Sequence, residues 1–93
     1  MRYKDFKLSE AYEVIRTVEV VKGEQHYRLE ITKSISNRNA PYDVYCYRRA
    51  EQRGEDEGNY VRWLLVSDFP DCAEKDDKGA LQTALSFLSE REW

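Results

Sequence analysis

Histidine and methionine each occur once in this chain, proline twice, cysteine twice and glycine four times. Each scarcity removes a class of protein. A single histidine, His26, supplies too few imidazoles for a zinc site, so no bound metal and no cofactor are expected. The two cysteines, Cys46 and Cys72, form no C-x-x-C pair, which excludes a zinc ribbon and a thioredoxin-like motif. No P-loop, G-x-G-x-x-G or G-x-S-x-G stretch is present to cradle a phosphate or present a serine nucleophile. No apolar run approaches the ~18 residues of a membrane span, and the first residues do not read as a charged-then-apolar leader. These absences lead to the expectation of a cytoplasmic protein without membrane association. In that reducing compartment both cysteines are expected to be buried free thiols.

What remains is ample for one core. The 93 residues suit a single domain spanning 1–93. Aromatic residues make up 13% of the chain, and such large apolar groups offset the chain entropy that keeps polar sequences disordered. Net charge is -3, which excludes a domain held on duplex nucleic acid by charge alone. Residues 1–50 carry ten Lys/Arg against seven Asp/Glu, whereas residues 51–93 carry five against eleven. The acid concentrates in Glu55-Asp56-Glu57 and in Asp68, Asp71, Glu74, Asp76 and Asp77. Such runs read as solvated loops. They lack EF-hand spacing, so a calcium site is not expected.

Residues 12–22 and 25–33 are rich in β-branched and aromatic residues and alternate with period two. Gly23-Glu24 between them fits a two-residue turn that needs a positive φ at its first position. That turn sets the register: Val20 faces Tyr27, Val18 faces Leu29, and on the opposite face Glu19 meets Arg28. Farther out Arg16 would face Ile31, so a bulge near Ile15-Arg16 is expected to carry Ile15 to the core. Residues 42–49 read as a third strand. Residues 60–66 read as a fourth, apolar enough to be central or covered on both faces near its end. Leu81, Ala84, Leu85 and Leu88 stand at helical spacing, with Asp76 and Asp77 able to cap the start. Residues 1–11 fit either a short strand or the start of a helical turn.

The order is β-β-β-β-α. Sequential strands on short loops pair with their neighbours, so the expected fold is α+β: a four-stranded antiparallel meander with a C-terminal helix on one face. Val18, Val20, Leu29, Val44, Trp63, Leu65, Leu81, Ala84, Leu85 and Leu88 are the expected core.

Catalysis has little to work with. His26 lies beside a turn and no Cys-His motif surrounds Cys46 or Cys72, so a non-enzyme is expected, with no catalytic residue. Binding surfaces are the better candidates. One helix covers one face of the sheet. The other face is expected to carry Arg28, Tyr45, Tyr47 and Arg49, if Val44 and Cys46 point inward. The fourth strand adds Tyr60, Arg62 and Leu64, if Val61, Trp63 and Leu65 point inward. Two partner classes suit that surface. Tyr and Arg favour protein contact, including a homodimer by self-association. Tyrosine stacking with arginine–phosphate pairing suits single-stranded nucleic acid. In element order alone the chain is similar to the Whirly single-stranded DNA-binding fold. The tyrosines could equally lie in cross-strand pairs and bind nothing. Donors in Ser36-Asn37-Arg38-Asn39 could hold an anion or satisfy their own backbone through Asx turns.

Overall fold

A computed structural model describes residues 11–35, 39–54 and 58–93. Four strands and one helix follow in order: β1 (Tyr12–Lys22), β2 (Gln25–Ser34), β3 (Tyr42–Gly54), β4 (Gly58–Leu65) and α1 (Asp77–Glu90). The strands form one antiparallel sheet in the order β1-β2-β3-β4. The fold is therefore the expected α+β meander with a terminal helix.

The first hairpin follows its turn chemistry. Gly23 has φ +60, and Val18 pairs with Leu29, Val20 with Tyr27 and Glu19 with Arg28. The register shifts between Val14 and Arg16, where the bulge was expected, but its consequence differs. Arg16 stays opposite Ile31, and Ile15 is 40% exposed instead of joining the core. The extra residue turns the outer end of β1 over, so Val14 and Tyr12 join the face that carries Thr32 and Ser34.

The core lies between the sheet and α1. Tyr27, Leu29 and Ile31 from β2 and Val44 and Cys46 from β3 meet Ala80, Ala84 and Leu88 of the helix. Val18, Val20, Leu81 and Phe87 pack around them. The helical stripe is thus shifted from the expected one: Ala80 is fully buried, whereas Leu85 is 38% exposed. Small alanines at the centre let the helix approach the sheet closely. Its start is capped by Asp76, whose Oδ1 accepts from the Gly79 amide. The last turn of the helix carries no basic residue of its own. Lys22 of β1 takes that role, its Nζ donating to the carbonyl oxygens of Leu88 at 2.8 Å and Arg91 at 3.0 Å. Beyond the helix, Trp93 returns to the core edge, its ring 5.1 Å from Phe69 and its Nε1 donating to the Phe87 carbonyl.

β4 departs from expectation in two ways. It is an edge strand, neither central nor covered on both faces near its end, where Leu65 is 54% exposed. Its faces are also reversed. Leu64 pairs with Arg48 and Leu65 with Tyr47, so Trp63 and Leu65 share a face with Tyr45 and Tyr47 and lie outside the core. Both faces of this strand are apolar, and alternation does not choose between them. The choice is made by the link: Gly54 pairs with Gly58 across three residues, which matches odd-numbered residues with odd ones. Had the link held one residue more or fewer, Trp63 would face the helix. The acidic link residues Glu55-Asp56-Glu57, residues 1–10 and the candidate anion loop at 36–38 lie outside the described residues.

Candidate functional site

The face of the sheet away from α1 carries a diagonal band of large side chains. It begins at Tyr12, whose ring lies 5.9 Å from that of Tyr45. It continues along β3 to Tyr47, crosses to Leu65 opposite Tyr47, and runs down β4 through Trp63 to Val61. Val14 and Val21 flank it on β1. Among the described residues ten large apolar side chains are exposed. Six of them (Tyr12, Val14, Val21, Tyr45, Val61 and Leu65) stand on this one face. The outer face of the helix contributes only Leu85 to that set.

Polar groups thread the band and are largely paired within the chain. Arg28 Nη2 donates to Glu19 Oε1 at 3.1 Å, and its guanidinium carbon lies 4.2 Å from the centre of the Trp63 ring. Arg28 Nε is buried and has no hydrogen-bond partner among the described residues, so the negative face of the indole is its main compensation. Arg49 pairs with Glu51 at 3.8 Å. The Tyr47 hydroxyl donates to Glu30; burial first, and then this carboxylate, push its pKa up.

Of the residues expected here, Arg28, Tyr45, Tyr47 and Arg49 are brought together on the open face. Tyr60, Arg62 and Leu64 are not. They project from the helix side of β4, beside Arg48, because of the even register set by the β3–β4 link. The helix packs on β2 and β3, so Tyr60 stays 46% exposed there although it lies on the covered side. Trp63 and Leu65, expected in the core, replace them on the open face. The three-residue spacing between Gly54 and Gly58 was the signal in the sequence that would have placed them.

Two hollows adjoin this surface. One, of about 230 Å³, opens where β3 passes from β4 to the segment around Glu74, which bridges to Tyr42. Asp43, Tyr45, Leu65, Phe69 and Asp71 line it. Asp43 Oδ1 is engaged there, accepting from the amides of Val44 at 2.7 Å and Cys72 at 3.2 Å. The other, of about 280 Å³, is lined by Glu24, Gln25, His26, Arg49 and Glu51 at the hairpin end. Cys46 and Ser67 also line the first hollow, beside the carboxylates of Asp43 and Asp71. Cys46 and Cys72 are buried, and burial raises their thiols to about 11 and about 12, so both are protonated near neutrality. No group of three metal-ligating side chains is assembled among the described residues, and no helix among them is long and apolar enough to cross a membrane.

No family model matches the chain, and no match is found among curated proteins or solved structures.

Proposed function

We propose that this chain is a non-catalytic protein-interaction module that contacts its partner through the open face of the sheet. The observation that carries this reading is the one-sided distribution of exposed apolar groups. Among the described residues, six of the ten large apolar side chains left in solvent lie on that face, in and beside the Tyr12–Tyr45–Tyr47–Leu65–Trp63–Val61 band. Contiguous patches of this kind mark contact surfaces, because covering them removes apolar area from water at about 25 cal/mol per Å². Tyr, Trp and Arg are also the residues that anchor protein contacts. Charge disfavours single-stranded nucleic acid on this face. Glu19, Glu30 and Glu51 stand among the aromatic rings, and Arg28 and Arg49 are engaged with carboxylates.

Site-specific photocrosslinking in expressing cells tests the reading. A photoreactive phenylalanine at Tyr45 or Leu65 should give protein adducts, and the same group at Gln82 on the outer helix face should give few. Adducts that come chiefly from Gln82, or that carry nucleic acid, would overturn it.

A further inference from the structure

We infer that the partner of the open face is a second copy of this chain, seated sheet on sheet about a two-fold axis. The inference rests on the open-face reading and adds the identity of the partner. Three observations lead to it.

The first is charge. A two-fold axis lays a face over its own copy, so unpaired charge of one sign would repel it. Here, among the described residues, both arginines of the face are matched within the chain. Arg28 pairs with Glu19, Arg49 with Glu51, and Glu30 accepts from Tyr47. Such a face has little to offer a strongly charged partner and, with Glu30 as its one carboxylate outside these ion pairs among those named, little that repels its equal.

The second is area. Four strands about 4.8 Å apart and about nine residues at about 3.3 Å each give a face of about 570 Å² in projection. With side-chain relief added, this approaches the roughly 800 Å² that each partner buries in a standard stable interface.

The third is architecture. The chain is a sheet covered on one side, with α1 packed on β2 and β3. Its uncovered side carries aromatic and aliphatic groups such as Trp63 and Leu65, as the inner face of a sandwich does. Two copies would complete a helix–sheet–sheet–helix stack with the inner sheets about 10 Å apart. The diagonal bands would then cross at the centre, with Tyr47, Trp63 and Leu65 as the anchors.

Sedimentation of the whole chain from low micromolar to millimolar concentration tests this. Twice the 11.1 kDa chain mass is expected at the upper end. Val61→Glu with Leu65→Glu should weaken the dimer by about ten-fold or more, while Leu85→Glu on the outer helix face should not. Far-ultraviolet circular dichroism checks that each variant is folded. In a mixed sample of isotope-labelled and unlabelled wild type, interchain contacts should appear at Trp63 and Leu65, a readout independent of the variants. A chain that is monomeric at every concentration overturns the second copy as partner, while the open-face crosslinks stand or fall separately. A dimer that survives Val61→Glu/Leu65→Glu and shows no contacts at Trp63 overturns its seat on the open face. Binding of a single-stranded oligonucleotide to this face by a chain that stays monomeric also overturns it.

Discussion

Burial pushes the carboxyl of Asp43 above its ordinary value of 3.8, although its Oδ1 accepts two backbone amides; the neighbouring Asp71 adds to the rise. The folded state therefore holds this proton more tightly than the unfolded chain does. That contribution to stability is complete below 3.8 and is lost as pH rises through the raised value. Asp43→Asn keeps the acceptor oxygen and removes the titration. Its urea midpoint should gain on that of the wild type as pH is raised from about 3 to about 7. Cys46 and Cys72 follow the same sign at the alkaline end. Their contribution is present below 9.0 and is lost as pH rises through about 11 and about 12. Near neutrality both are buried thiols, so a disulfide reagent should modify neither at an appreciable rate until the chain is unfolded. Rapid labelling of the folded protein would contradict that environment.

The helix depends on partners outside itself. Its N-terminus is held by Asp76, and Asp76→Ala should cost about 1 kcal/mol in a thermal or urea melt. Gly79 looks like a site for gain, since alanine improves an exposed helix by about 1 kcal/mol. A Cβ there would stand 2.8 Å from the capping Oδ1 of Asp76, so displacement of the cap offsets the propensity. Gly79→Ala is therefore expected to be close to neutral. At the other end, Lys22→Met should lower stability by about 0.5–1 kcal/mol, because it strips two carbonyls of their donor and the helix dipole of its counter-charge. Packing separates the two leucines of the helix. Leu88→Ala should cost about 2–5 kcal/mol, whereas Leu85→Ala, at a position left 38% exposed, should cost less than about 1 kcal/mol.

The molecule as a whole is two-sided. One side of the sheet is closed by α1, Phe69 and Trp93; the other presents Tyr45, Tyr47, Trp63 and Leu65. Substitutions should sort accordingly. At concentrations where the chain is a monomer, Leu65→Lys and Val21→Lys should leave the unfolding midpoint within about 0.5 kcal/mol of wild type. A charge placed at Leu29 or Ala84, both without solvent exposure, should unfold the chain. The two tryptophans report the same division. In a Trp93→Phe variant the remaining Trp63 emission should be readily quenched by acrylamide when dilute and protected as the chain is concentrated. Equal quenching at every concentration would place Trp63 on a face that nothing covers.

Local chemistry was enough to determine the first hairpin, the element order and the helix start. The positive φ at Gly23 and the period-two alternation act within a few residues, so Val18–Leu29 and Val20–Tyr27 were legible, as was the cap at Asp76. The face of β3 was conditional in the sequence, since Val44 and Cys46 alternate with the large Tyr45 and Tyr47; pairing of Cys46 with Leu29 and Val44 with Ile31 decided it. The faces of β4 were not legible. Val61, Trp63 and Leu65 are as apolar as Tyr60, Leu64 and Val66, so hydrophobicity gives its two faces nearly equal claims on the core. The bulge at Ile15 was legible by position but not by outcome, because its effect depends on what lies over the end of β1. The helical stripe was displaced toward Ala80 and Ala84 for the same kind of reason: the sheet, not the helix, decides which side chains fit beneath it. Periodicity thus determined which side chains share a face. Only the register imposed by the β3–β4 link and the path of α1 over β2 and β3 decided which face is core and which is left open.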